Sequence, residues 1–328
     1  MSEVIEARNL TIGYLTSRKT TAVHQNMCFS LHAGELTCLL GANGSGKSTL
    51  LRTLAAAQPP LNGEILVNGM DISTMTNRQK SLAIGIVLTD KTQAGGLSVE
   101  ELVSLGRQPH TGFFGMLSKR DHEVVDNALR AVGIANMRHR YVSQLSDGER
   151  QKAFIAKALV QECPIILLDE PTAFLDVVSR IEIMELLRHI AAQQHRAVLL
   201  SSHDIEQALA LADRLWLLSP QNGLTTGVTE DLVLSGALDS LFINEGITFN
   251  YMSGSYFHEH KDYTPISVWA ATPVLMHWCA NALARHAFTA TTCDNPEGAQ
   301  LQVHSPTEII IHGTQCHSFA QMLELLNT

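Results

Sequence analysis

Apolar and polar positions change period several times along the chain, and each change marks an element. Residues 3–12 set Val4, Ile5, Leu10 and Ile12 in a strand-like alternation. Residues 36–40 (LTCLL) are apolar throughout and stop at Gly41. From Gly46 onward Leu50, Leu51 and Leu54 recur at helical spacing, so this segment reads strand, glycine loop, helix. In residues 61–72 two Asn-Gly pairs flank a short strand, which predicts antiparallel hairpins beside a main sheet. The stretch 73–140 is polar and mixed and reads as mostly helical. Within it, Val124, Val125, Ala128, Leu129 and Val132 form an apolar helix face. Two more apolar strands follow, PIILLDE at 164–170 and RAVLLSSH at 196–203. Strands that are apolar throughout and alternate with helices predict a mostly parallel sheet covered on both faces.

The character changes after residue 230 or so. GSYFHEHKDYTP (254–265) is polar, ends in proline and reads as a linker. ISVWAA (266–271) then predicts a strand and residues 272–286 a helix, with Leu275, Trp278, Cys279, Ala282 and Leu283 on one face. FTATTC, AQLQVH and TEIIIH predict three short strands, and 317–326 a closing helix with Phe319, Met322, Leu323 and Leu326 on one face. This is a small βαβββα domain. The expected boundary puts one domain at 1–255 and an accessory α/β domain at 256–328, and a chain of 328 residues is long enough for two cores.

Composition narrows the function classes. The chain is 45% hydrophobic and 17% charged, which excludes global disorder. A net charge of -9 argues against a nonspecific binder of nucleic acid or anionic membrane. Six scattered cysteines without a CxxC pair suit a reducing compartment better than a disulfide framework. MSEVIEARNL lacks the basic-then-apolar pattern of a signal peptide, and stretches such as IILL (165–168) are too short to span a bilayer. A membrane role is therefore expected only through a partner.

Three segments carry chemistry. Gly41-Ala42-Asn43-Gly44-Ser45-Gly46-Lys47-Ser48-Thr49 matches GxxxxGK[ST] between a strand and a helix, the context that distinguishes a phosphate loop from an ordinary glycine turn. Its backbone N–H groups and helix N-terminus would hold the β- and γ-phosphates, with Lys47 as a point charge and the Ser48 hydroxyl as a Mg²⁺ ligand. Asp169 and Glu170 end the buried strand at 164–170, where ligands of parallel sheets sit. Asp169 would hold Mg²⁺ through water, and Glu170 would act as general base on the attacking water. Ser146 with Glu149 three residues later forms a capping box, and the same helix start is an anion site.

Taken in order, these segments resemble the ATP-binding subunit of an ABC transporter. Leu145-Ser146-Asp147-Gly148-Glu149 resembles that family's LSGGQ signature, and Asp169-Glu170 its Walker B. The resemblance covers residues 3–250 or so and implies a P-loop NTPase fold with an antiparallel β subdomain and a helical subdomain. It further implies that Tyr14 stacks on adenine, that Asp176 is the D-loop aspartate and that His203 is the switch histidine contacting the γ-phosphate. Residues 97–103, Gly106-Arg107-Gln108-Pro109 and Gly112-Phe113-Phe114-Gly115 resemble the importers of iron-siderophore, haem or cobalamin type. The implied cofactors are ATP and Mg²⁺. The implied partners are a second copy, permease subunits and, indirectly, a substrate-binding protein, with the chain peripheral at the cytoplasmic face of the inner membrane and without nucleic acid. In such a pair Ser146 and Gly148 close over the ATP of the opposite copy.

Two departures stand out. Asp90 occupies the place of the family's glutamine and is expected to contact Mg²⁺ or its water. Asp147 replaces the first signature glycine, and its charge is expected to point away from phosphate. Seven of the fifteen histidines lie between His258 and His317, but His258 and His260 alternate along a loop and lack a fixed ligand geometry, so the extension reads as a linker and small domain rather than a metal sensor. Three other readings remain: an importer ATPase for another substrate, an ABC-type ATPase without transport, and a small-molecule kinase, which would not need LSDGE or His203.

Overall fold

The structure is a computed structural model that describes residues 2–15, 19–88, 96–112, 115–241, 247–258 and 262–326. In chain order its elements begin with β1 (Glu3–Leu15), β2 (Thr20–His32), β3 (Leu36–Leu40), α1 (Lys47–Leu54), β4 (Asn62–Val67), β5 (Met70–Asp71), α2 (Asn77–Ala83) and β6 (Ile84–Val87). There follow α3 (Val99–Ser104), α4 (Lys119–Ala131), α5 (Asp147–Leu159), β7 (Ile165–Leu168), α6 (Val177–Gln194), β8 (Ala197–Ser201), α7 (Ile205–Leu211), β9 (Arg214–Ser219), β10 (Gly223–Val228) and α8 (Thr229–Leu234). The chain continues through β11 (Ile247–Asn250), β12 (Ser255–His258), β13 (Thr264–Ala270), α9 (Pro273–Ala284), β14 (Phe288–Thr292), β15 (Leu301–Ser305), β16 (Glu308–Ile311), β17 (Thr314–Cys316) and α10 (Phe319–Leu326).

Two compact units result, one of residues 1–244 and 249–256, the other of 245–248 and 257–328. The first unit holds a six-stranded sheet in the order β10-β9-β3-β8-β7-β6. Its four pairings from β9 to β6 are parallel, and β10 adds an antiparallel edge. Every residue of β3, β7 and β8 is buried, as strands covered on both faces require. One apolar cluster on the α3–α6 side includes Leu102, Val125, Ile155, Ile166 and Leu200; a second includes Ile5, Leu39, Leu50, Leu167 and Trp216 and joins the sheet to β1, β2 and β4. Those strands form the antiparallel sheet β2-β1-β4-β5, whose last hairpin turns at Asn68 and Gly69, both at positive φ.

The stretch expected to be mostly helical at 73–140 also supplies β6, a parallel strand whose Ile84–Val87 pair with Ile165–Leu168. The expected linker contributes a strand as well, β12 at Ser255–His258, paired with β11. In the second unit the sheet order is β14-β13-β15-β16-β17, with β13 parallel to both neighbours. It has one strand more than the expected three after the helix: β17 returns from β16 through a turn at His312 and Gly313, both at positive φ. Its core joins Ile266, Val268, Leu301, Val303, Ile309 and Ile311 to Cys279, Leu283 and Met322 of the two helices. Among the described residues no helix is long and apolar enough to cross a membrane.

Candidate functional site

The glycine loop leaves the buried end of β3 and enters α1. Gly41 fits only without a side chain, because a Cβ there would lie 2.4 Å from the Leu218 carbonyl oxygen of β9. Gly46 takes φ 102°, a conformation that L side chains rarely adopt. Ser45 N–H turns the loop by donating to the Ala42 carbonyl at 3.1 Å, and Asn43 and Gly44 form its exposed tip. Lys47 is 5% exposed and donates from Nζ to the carbonyls of Gly41 (2.8 Å) and Ala42 (3.2 Å). Burial pushes its pKa down, while Glu170 and Asp169 pull in the opposite direction. A partly desolvated ammonium, a glycine loop and a helix N-terminus together make an anion cradle.

The acid pair meets this cradle directly. Ser48 Oγ donates to Asp169 Oδ1 at 3.2 Å. The Ser201 hydroxyl, at the end of β8, donates to the same oxygen at 2.8 Å and accepts from Glu170 N–H at 2.8 Å. Ser201 therefore fixes both acids with one oxygen. Glu170 sits at φ 48°, a strained position for a non-glycine residue, and its Oε1 lies 2.5 Å from His203 Nε2. Asp204 caps α7 just behind His203 and pairs with Arg180 at 2.9 Å. Tyr14 brings its hydroxyl to within 2.6 Å of Thr49 Oγ1, leaving the residue half exposed.

A second group gathers at the starts of α5 and α6. Ser146 caps α5: its Oγ accepts from Glu149 N–H, and Glu149 accepts from Ser146 N–H at 2.8 Å. That backbone bond holds the Glu149 carboxyl below its ordinary pKa. The Asp147 carboxylate turns aside to Arg150. Gly148 allows the two helix starts to meet, since a Cβ would come within 2.9 Å of Ser179 Oγ. Ser179 in turn donates its N–H and hydroxyl to Asp176, both at 2.9 Å, which lowers the Asp176 pKa. Phe174, Val177 and Val178 beside Asp176 are apolar yet exposed.

The structure thus brings Lys47, Ser48, Asp169, Glu170 and His203 into one cradle, and Ser146, Gly148 and Asp176 into a second group. Asp90, Phe113, Phe114, Glu259 and His260 lie outside the described residues. Among the described residues no three or more His, Cys, Asp or Glu side chains form a metal-holding group. The sequence reading missed Ser201 and His24, whose Nε2 contacts the Ser45 carbonyl at 2.6 Å. A hydroxyl ending the strand next to the acid pair was a usable signal for Ser201. A histidine in a strand of mixed polarity gave none for His24.

Comparison with known proteins agrees with this geometry. Residues 24–173 match the ABC transporter family. The chain is 36% identical to the petrobactin import ATP-binding protein FpuC of Bacillus anthracis, over 74% of this chain and 86% of that protein. It is 34% identical to the ferric enterobactin transport ATP-binding protein FepC of Escherichia coli K12, over 73% of this chain and 86% of that protein. A solved chain from a transporter assigned to the metal-chelate type, in an inward-facing conformation, superposes with a TM-score of 0.64 at 30% identity, covering 79% of this chain and 96% of that one. With this likeness over most of each relative's length, and with the phosphate loop, acid pair and signature in place, the chain belongs to the ATP-binding subunits of ABC transporters and is an ATPase.

Proposed function

We propose that the chain is the ATP-hydrolysing subunit that powers import of a metal chelate, of iron-siderophore, haem or cobalamin type, through membrane permease subunits. The observation that carries the ATP chemistry is the single cradle of Lys47, Ser48, Asp169, Glu170 and His203. The chelate assignment rests on the likeness to the petrobactin and ferric enterobactin proteins.

In this reading the loop amides from Gly41 to Thr49, with Lys47, hold the β- and γ-phosphates, and Asn43 at the tip borders them. Tyr14 stacks on adenine. Ser48 and Asp169 fit Mg²⁺: two hard oxygen donors converge at 3.2 Å beside the phosphate loop, and Mg²⁺ commonly takes one or two carboxylates plus substrate phosphates. When bound, the ion would offset phosphate charge beside Ser48 and Asp169. Asp90, which lies outside the described residues, would contact the same ion or its water. Glu170 takes the proton of the attacking water, and His203 holds its carboxylate in place and reaches toward the γ-phosphate.

The chain acts as a homodimer. Ser146 Oγ accepts a cap bond, so its own proton stays available to donate to the γ-phosphate held by the partner copy. Gly148 keeps the helix start open to that phosphate, and Asp176 borders it. Turning Asp147 to Arg150 removes a repulsive charge from this face. The exposed Phe174, Val177 and Val178 are apolar surface suited to cover by the second copy. Residues 1–255 form the ATP-binding domain and 256–328 an accessory domain. The chain sits peripherally at the cytoplasmic face of the membrane, and a substrate-binding protein delivers the cargo to the permease.

Co-purification with the native permease, followed by uptake assays in vesicles, tests the proposal. ATP-dependent uptake of a ferric siderophore, haem or cobalamin, abolished by Lys47→Ala, is expected. Hydrolysis that requires a phosphoryl acceptor, or uptake of a non-chelate cargo, would refute it.

A further inference from the structure

The phosphate loop contains one peptide plane whose direction is set from outside the loop. The Ser45–Gly46 peptide precedes a glycine at φ 102°, and glycine passes between backbone regions at little steric cost, so this plane can flip easily. The Ser45 hydroxyl does not hold it: that oxygen is buried without a hydrogen-bond partner. His24 of β2 does. The residue is 5% exposed, and its Nε2 lies 2.6 Å from the Ser45 carbonyl oxygen. A carbonyl only accepts, so Nε2 carries the proton and donates. The adjoining side of Gly46 is filled as well, since a Cβ there would meet Val23 Cγ1 at 2.7 Å and His24 Cδ2 at 3.3 Å.

No cis peptide bond occurs among the described residues. In a trans peptide the C=O and the following N–H point in opposite directions. Drawing the Ser45 carbonyl toward β2 therefore turns the Gly46 N–H away from β2, into the loop, where phosphate oxygens need donors. We propose that His24 is a positioning residue for triphosphate. It fixes the Ser45–Gly46 peptide with its N–H inward, so the antiparallel sheet sets the donor geometry of the loop before nucleotide arrives. This rests on the reading of the loop as the triphosphate site.

The test compares wild type, His24→Leu and His24→Gln as full-length chains. Leucine fills similar space without a donor; the glutamine amide nitrogen stands the same number of bonds from Cα as histidine Nε2. ATPase kcat and KM are measured, together with competition by inorganic tripolyphosphate, which lacks adenine. Loss of one buried hydrogen bond predicts that His24→Leu raises both the ATP KM and the tripolyphosphate inhibition constant about tenfold, with kcat changed less than about twofold. His24→Gln restores both constants to within about threefold of wild type. If His24→Leu does not fold, His24→Met takes its place in the same comparison.

The proposal is overturned if the apolar variant and His24→Gln behave alike, if the loss lies in kcat, or if ATP affinity falls while tripolyphosphate affinity does not. A wild type that neither hydrolyses ATP nor binds tripolyphosphate would instead overturn the site reading, and this role with it. Normal wild-type hydrolysis beside an unimpaired apolar variant would remove the role of His24 alone.

Discussion

The ATP-binding unit and the C-terminal unit bury different kinds of side chain. In the first, Ser45, Lys47, Thr49, Asp169, Ser201 and Ser202 are all buried, gathered where the parallel strands end. In the second, every buried residue among those described is apolar, from Ile266 and Val268 to Ile311 and Met322. Positive φ at a turn is common to both units, as at Asn68 in the first and Ala287 and His312 in the second, whereas Glu170 holds it within the acid pair. Burying a polar group costs free energy unless a partner satisfies it, so a fold accumulates such groups only where a ligand needs them or a network satisfies them. The contrast locates the ATP chemistry in the first unit.

The largest expected effect is at Glu170. Glu170→Gln keeps the shape and removes the base, so hydrolysis should fall about 10²–10⁴-fold while ATP binding persists. Light scattering should then show a mass increase with ATP; an unchanged turnover rate would move the base elsewhere. Next comes the apolar core of the second unit. Leu301 is fully buried there, and Leu301→Ala should cost about 2–5 kcal/mol of that unit's stability through a cavity. Its ATP KM should stay at the wild-type value. A raised KM would break the comparison, because it would make the second unit part of the nucleotide chemistry.

What was legible in the sequence was local. The phosphate loop, the Asp169-Glu170 pair and the Ser146–Glu149 capping box are each written in consecutive residues, and each formed where the flanking pattern put it. What was missed depends on partners distant in the chain. β6 is four residues inside a polar stretch and becomes a strand by pairing in parallel with β7. β17 is Thr-Gln-Cys, a segment with no apolar run, held by the turn at His312-Gly313 and by β16. Ser201 acquires its role from Asp169 on the adjacent strand, and His24 from a loop carbonyl that no periodicity reveals.

Ser201 sharpens the contrast at a finer scale. One hydroxyl serves Asp169 Oδ1 and Glu170 N–H, so Ser201→Ala leaves two polar groups without that partner inside the site. About a tenfold loss in kcat is expected, close to the cost of one unsatisfied buried group. Melting temperature and kcat measured together decide: a fall in stability with kcat intact would make Ser201 a core residue like those of the second unit.

The smallest effect tests whether every buried charge in the first unit serves the nucleotide. Arg107 is 3% exposed and pairs with Asp121 (2.7 Å) and Glu162 (2.6 Å). The Asp121 carboxyl is held down to about 2, first by hydrogen bonds from the Ser118 hydroxyl and backbone N–H and then by Arg107. A carboxylate whose folded pKa lies below its unfolded value adds stability that is complete above the ordinary value near 4 and disappears as pH falls through about 2. Asp121→Asn should therefore cost about 1 kcal/mol at neutral pH and flatten the acid limb of the stability curve between about pH 4 and pH 2. The ATP KM should not move, because these three residues tie the start of α4 to the end of α5, where Arg107 also donates to the Val160 carbonyl at 2.7 Å. A shifted KM with an unchanged acid limb would reverse the assignment and make this network part of the nucleotide machinery.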